Sequence, residues 1–139
     1  MFIGTYQHSF DPKGRVIIPA KFREGLGEPF YATRGDDGTI ALFSKKAWDA
    51  LGERIAAMPS SKTVGLRRFL FSNAAELSPD GQGRVLIPQK LREYGGIRKD
   101  VVINGAGSRV EIWEEAAWND YDEQQSATEI FALMEELEL

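Results

Sequence analysis

Residues 9–24 and 78–93 spell one pattern twice, Ser-x-Asp-x-x-Gly-Arg-Val-x-Ile-Pro-x-Lys-x-Arg-Glu, and any fold for this chain has to house both copies. Ten of the sixteen positions are identical at an offset of 69, where average residue usage would give about one match by chance. The likeness continues at an offset of 70, pairing Gly35/Gly105, Ile40/Val110, Leu42/Ile112, Phe43/Trp113, Ala47/Ala117 and Trp48/Trp118. A period near seventy is too long for a solenoid. Two halves around a pseudo-twofold axis are expected instead.

Each half reads alike. Asp11-Pro12-Lys13-Gly14 has Asp, Pro and Gly where a type I turn wants them, and Asp80-Gly81-Gln82-Gly83 is the same turn with Gly replacing Pro. A strand follows, with Val16 and Ile18 on one face and Arg15 and Ile17 on the other. Pro19 and Pro88 stop that strand and suit the first turn of short helices, 20–26 and 89–94, each ending at glycine. Hairpins are expected over 30–34 and 39–43, then 101–104 and 109–113. Ser44 can cap an amphipathic helix that Pro59 stops, and a second such helix begins near Glu114. Trp48 and Trp118 are read as core or interface anchors without chemistry. Residues 63–71 read as a helix, and 2–8 and 73–77 as opening strands. Ile130, Phe131, Leu133, Met134 and Leu137 form a last amphipathic stripe, which could pack on the body, meet another subunit or fray. The units are therefore a first repeat over 1–59, a connecting helix over 60–71, a second repeat over 72–121 and an acidic helical tail over 122–139. The class is α+β and β-rich, with peripheral helices.

Charge is unevenly spread. The 139 residues carry a net −4, but 110–139 holds ten acids and no Lys or Arg, which leaves 1–109 at +6 with all seventeen basic residues. A basic body beside an acidic tail points to an anionic partner for the body. Cysteine is absent, and no stretch approaches the roughly 20 apolar residues of a membrane span. The first ten residues lack the basic start and apolar run of a signal peptide, so a cytoplasmic protein is expected.

Equipment for catalysis is thin. One histidine, His8, gives neither a metal pair nor a relay, and it reads as structural. No P-loop, Gly-x-Ser-x-Gly or dinucleotide fingerprint is present. Asp36-Asp37-Gly38 lacks the alternating oxygens of a calcium loop and reads as a hairpin turn. Asp11 and Asp80 near a twofold bring a shared-proton protease dyad to mind, but Pro and Gly follow them where such enzymes carry Ser or Thr and then Gly. The expectation is a non-enzyme without cofactor or metal.

Arg15 and Arg84 stand apart, because turn geometry asks for the Asp and the Gly but not for the arginine that follows. Two such arginines related by a pseudo-twofold, with Lys13 beside one, would share a surface suited to phosphate or to a guanine edge. The competing reading is an ion pair within each turn, Asp11 with Arg15 and Asp80 with Arg84. On residue chemistry alone the two stand level, and both can hold together. Lys21, Arg23, Lys90 and Arg92 on the short helices are second-rank candidates for DNA-backbone contacts.

The opening Met1-Phe2-x-Gly4-x-Tyr6-x-His8-x-x-Asp11-x-Lys13-Gly14-Arg15, the second Asp80-x-x-x-Arg84 and their spacing resemble the MraZ family of bacterial regulators. The resemblance covers nearly the whole chain and weakens after about Tyr121. It implies two fused AbrB-like swapped-hairpin half-barrels, assembly of copies into a ring-like homo-oligomer, and binding of double-stranded DNA at repeated promoter sites ahead of the division and cell-wall gene cluster, generally as a repressor at the nucleoid. It also implies that Asp11, Arg15, Asp80 and Arg84 form the DNA-contact signature. Gln82 stands where the first copy has Lys13, so unequal DNA-facing edges are expected. The alternative class is a non-enzymatic protein-interaction or antitoxin-like module on the same fold.

Overall fold

The computed structural model describes all 139 residues. Fifteen segments follow the duplicated order. The first half has β1 (Thr5–Ser9), β2 (Arg15–Ile17), α1 (Ala20–Leu26), β3 (Phe30–Arg34), β4 (Ile40–Ser44), α2 (Lys45–Ala56) and α3 (Ser60–Leu70), with a single helical turn at Asp36–Gly38 inside its hairpin. The second has β5 (Ala75–Leu77), β6 (Arg84–Leu86), α4 (Gln89–Tyr94), β7 (Asp100–Gly105), β8 (Val110–Glu114), α5 (Glu115–Glu123) and α6 (Ala127–Glu136).

The protein is α+β, and its halves are interlocked. One antiparallel sheet runs β1-β7-β8-β4-β3-β5, and a two-stranded ribbon pairs β2 with β6. The first strand of each half lies on the hairpin of the other: β1 pairs β7 across the halves, and β5 pairs β3 in return. Repeat-equivalent strands meet in the middle of both sheets. In the ribbon Val16 faces Val85, and in the large sheet Ala41 faces Glu111. Both are self-pairs of the repeat, so one pseudo-twofold axis passes through each. This is the swapped-hairpin half-barrel arrangement, fused in a single chain.

The core follows from period-2 alternation on these strands. Val16, Ile18, Val85 and Ile87 point inward from the ribbon and meet Phe30, Ile40, Leu42, Val101, Ile103, Val110 and Ile112 from the sheet. Phe22 of α1 and Leu91 of α4 close the sides. The paired tryptophans anchor helices to the outer sheet face: Trp48 stacks on Tyr31 at 5.6 Å, and Trp118 meets Trp113 edge-on at 5.2 Å.

Several boundaries differ from the sequence reading for local reasons. β1 starts at Thr5 because Gly4, at φ 101°, turns the chain out of extended geometry; Phe2 makes only an isolated bridge to Gly107. Pro19, Pro59 and Pro88 stand immediately before their helices, with extended ψ, and not inside the first turn. The Pro19 carbonyl still accepts from Phe22 and Arg23 N–H, so proline serves as the cap. α3 accordingly begins at Ser60, directly after Pro59. Gly35 and Gly105 are not equivalent. Phe30 faces Ser44 as Val101 faces Glu114, an offset of 71 on that strand, and Gly105 is still paired to Val110 where Gly35 has entered its loop.

Candidate nucleic-acid interface

The two turns are built to the same plan within 0.1 Å. Asp11 Oδ1 accepts from the backbone N–H of Lys13 (2.9 Å) and Arg15 (2.9 Å), while Oδ2 accepts from Arg15 Nε at 2.7 Å. Asp80 Oδ1 accepts from the N–H of Gln82 (2.9 Å) and Arg84 (3.0 Å), and Oδ2 from Arg84 Nε at 2.8 Å. Gly14 N–H closes the first turn on the Asp11 carbonyl, and Gly83 N–H the second on Asp80, each at 3.0 Å. Both glycines are left-handed, with φ 82° and 79°, which a side chain would strain.

The sequence left an ion pair and an anion-facing arginine as alternatives, and this geometry accommodates both. The carboxylate takes only Nε. The two Nη groups of Arg15 and of Arg84 have no partner within the chain. Each guanidinium is thus held by one edge and presents the other, the edge that can donate two parallel hydrogen bonds to phosphate or to a guanine.

Hydrogen bonding also sets the charge state. The backbone N–H of Arg15, foremost, holds the Asp11 carboxyl below its ordinary value, and that of Arg84 does the same for Asp80. A lowered folded value means the clamp is complete above the ordinary carboxylate range, near pH 3.9, and is lost as pH falls through the folded value. Carboxyl-detected NMR titration should give both midpoints below that of an ordinary aspartate; a midpoint at or above it removes the hydrogen-bond account.

Antiparallel register places the arginines on one surface. Arg15 lies opposite Leu86 and Arg84 opposite Ile17, so these four side chains share the outer face of the ribbon while Val16 and Val85 fill the inner. The arginines occupy diagonal corners, a Cα separation of roughly 7–8 Å for such a pair. Ile17 and Leu86 take the other diagonal, 42% and 57% exposed. Neither has a role in the sequence pattern of the turn. The signal was present: an aliphatic residue at the same repeat position in both copies, on the face opposite the core. Lys13 and Gln82 are exposed at the turn tips, so the formal charge of the face is unequal across the axis.

Arg23 and Arg92 are placed differently from the other cations. Arg23 Nη1 donates to the Ile18 carbonyl at 2.8 Å, and Arg92 Nε to the Ile87 carbonyl at 2.9 Å. Each also reaches across the pseudo-twofold: a Cβ on Gly83 would strike the Arg23 guanidinium, and one on Gly14 the Arg92 guanidinium. The backbone crosses likewise, Ile18 N–H to the Gly83 carbonyl and Ile87 N–H to the Gly14 carbonyl, both at 3.1 Å. Each turn is therefore completed by the opposite copy, and these two arginines brace the site. Lys21 and Lys90 are exposed on α1 and α4. His8 is half-buried on β1, and burial lowers its pKa, so it is neutral at pH 7.

No group of three or more His, Cys, Asp or Glu side chains is disposed to hold a metal ion. No helix is long and apolar enough to cross a membrane.

Known proteins with the same sequence pattern are numerous. The family described as "MraZ protein, putative antitoxin-like" matches residues 1–65 and 70–138. A transcriptional regulator MraZ of Acetivibrio thermocellus is 51% identical over 134 residues, covering 94% of each chain. Its namesake in Heliobacterium modesticaldum is 48% identical over 126 residues, 89% of this chain and 88% of that one. One from Natranaerobius thermophilus is 45% identical over 130 residues, 92% and 91% of the two chains. With both repeats, both Asp-x-x-x-Arg turns and the interlocked fold in hand, the chain belongs to the MraZ family.

Proposed function

We propose that this chain is a transcriptional regulator that binds double-stranded DNA through the outer face of the β2–β6 ribbon. The observation that carries the reading is the pair of guanidiniums, each fixed to an aspartate by Nε and free at both Nη, brought onto one twofold-related surface. A two-stranded ribbon fits a major groove about 12 Å wide. Arg15 and Arg84 contact base edges or phosphates, Asp11 and Asp80 orient them, and Lys13 adds a phosphate contact at one turn only. Lys21 and Lys90 extend the backbone contacts, with Arg23 and Arg92 acting from beneath.

A ribbon three residues long is a small footprint. Useful affinity therefore calls for several copies engaging repeated promoter sites, where linkage raises effective concentration. The family resemblance supplies the rest of the proposal: a ring-like assembly acting in the cytoplasm at the nucleoid, repressing the division and cell-wall gene cluster. No cofactor or reaction is assigned.

Binding to the promoter ahead of the protein's own gene and to a scrambled duplex, measured across a salt series, tests this. From Arg15, Arg84 and Lys13 alone, affinity should fall on the order of forty-fold between 50 and 200 mM salt, and more steeply with Lys21 and Lys90 engaged or in an assembly. A salt-independent signal, or none with either duplex, would favour the interaction-module reading of the same fold.

A further inference from the structure

α6 is an amphipathic helix with no hydrogen bond or ion pair to the body of the chain. Ile130, Leu133, Met134 and Leu137 recur at i, i+3, i+4 and i+7 and form one stripe. Phe131 lies beside it, Glu129 and Glu136 flank one edge, and Glu135 falls on the back of the helix. Every residue from 127 to 139 is exposed, Phe131 at 61% and Leu137 at 71%. The connector, 124–126, is ordered by local hydrogen bonds. Gln124 N–H bonds to the Asp120 and Tyr121 carbonyls, Gln125 Nε2 donates to Tyr121, and Ser126 Oγ caps α6 by accepting from Glu129 N–H at 3.2 Å. α6 thus leaves α5 through a three-residue connector bonded only to its two flanking helices.

Its first-half counterpart behaves otherwise. α3 follows α2 through an equally short connector, 57–59, and is docked: Thr33 Oγ1 donates to the Leu70 carbonyl, and Arg34 Nε to the Phe69 carbonyl at 3.1 Å. Beside it, between α2, α3 and the tip of the β7–β8 hairpin, lies a groove of about 710 Å³. Phe43, Leu51, Leu66 and Leu70 give it an apolar lining, and Leu66 is 44% exposed. Arg54 and Arg109 line it without an ion pair, Arg109 resting over the Phe43 ring at 5.4 Å. Asp36 and Glu53 also border it, but residues 45–71 carry six basic side chains against two acids, whereas 127–139 carries four acids and no base.

We propose that the α6 helix of one copy docks its Ile130–Leu137 stripe into the α2–α3 groove of a neighbouring copy, its flanking glutamates meeting Arg54 and Arg109. The contact joins two different patches, so it is heterologous and propagates from copy to copy until the rotation closes a ring. A ten-residue helix buries a modest area, but in a closed ring each copy makes the contact twice. The inference rests on the assembly part of the proposed function and deepens it by naming the two surfaces that meet. Association is measured without DNA, so failure of the docking contact and failure of the DNA-binding reading are distinguishable.

The test is the solution mass of the full chain, a multiple of 15.5 kDa in the assembled state, by light scattering at tens of micromolar. Leu133→Glu with Leu137→Glu places two charges in the stripe without touching the folded body, which circular dichroism verifies; association should weaken at least about a hundredfold, to monomer. The absence of native cysteine allows a direct check. Chains carrying Leu66→Cys mixed with chains carrying Met134→Cys should form a disulfide heterodimer in excess of either homodimer, on mild oxidation. A monomeric wild type, an unchanged mass for the double variant, or heterodimer no more abundant than the homodimers would each overturn the proposal. So would an intramolecular disulfide replacing the intermolecular one when both cysteines are in one chain.

Discussion

Arg15→Ala combined with Arg84→Ala should lower duplex affinity by roughly 10²–10⁴-fold while the melting temperature stays within a few degrees of wild type. Each arginine offers its Nη edge to an acceptor outside the chain, and a good bidentate contact contributes about 1–3 kcal/mol to binding. Stability should survive because the side chain is not what closes the turn. Asp11 Oδ1 is bonded to the backbone N–H of residues 13 and 15, and Asp80 Oδ1 to those of residues 82 and 84. Those donors persist in alanine. Arg15→Lys with Arg84→Lys separates charge from geometry: a lysine keeps the cation but has neither a second edge for the aspartate nor a planar fork. That variant should keep salt-sensitive binding to any duplex and lose most of its preference for the promoter. Fluorescence anisotropy on labelled promoter and scrambled duplexes reads both outcomes. Full affinity in the double-alanine variant would remove the ribbon from the DNA-contact assignment.

Local chemistry was the legible part of this chain. Asp, Gly and Pro have few reasons to recur at fixed spacing, so the turns at 11–14 and 80–83, the strand stops at Pro19 and Pro88 and the helices after them could be read directly. The arginine after each turn stood out because nothing local required it. Partnership between distant segments was another matter. β1 alternates in the same way whether it lies on β3 or on β7, and its pairing with β7 is visible only in the assembled sheet. The same limit hid the role of Arg23 and Arg92. Charged residues on a short helix read as solvated, and their reach over the opposite copy's glycine exists only once the ribbon has formed. Ile17 and Leu86 were visible as a repeated pair, but their exposure depends on Val16 and Val85 taking the inner face. The groove beside α3 comes from α2, α3 and a hairpin tip of the other half, three segments that no window of sequence contains.

Interlocking also bears on how the molecule comes apart, and Phe22→Ala should expose it. Phe22 is 2% exposed, with Phe2 and Tyr6 edge-on to its ring at 6.0 and 5.3 Å. Truncation of such a residue costs about 3–5 kcal/mol, which for a domain of this size lowers the melting temperature by roughly 10–20 °C. Phe22 belongs to the first repeat, so two independent domains would leave the second melting where it did before. The contacts argue otherwise. Tyr6 and Phe2 lie on the strand and bridge that the first half lends to β7 and Gly107, and the ribbon over the core takes one strand from each half. Neither half retains a closed sheet when the other opens. Calorimetry of the variant should therefore show one transition, shifted as a whole, with the Asp11 and Asp80 turns lost together. A second transition left at the wild-type temperature would show that the repeats fold separately. It would also mean that the two arginines owe their common surface to docking of finished domains, when the crossing bonds from Ile18 to Gly83 and from Ile87 to Gly14 imply that neither turn is complete without the other copy.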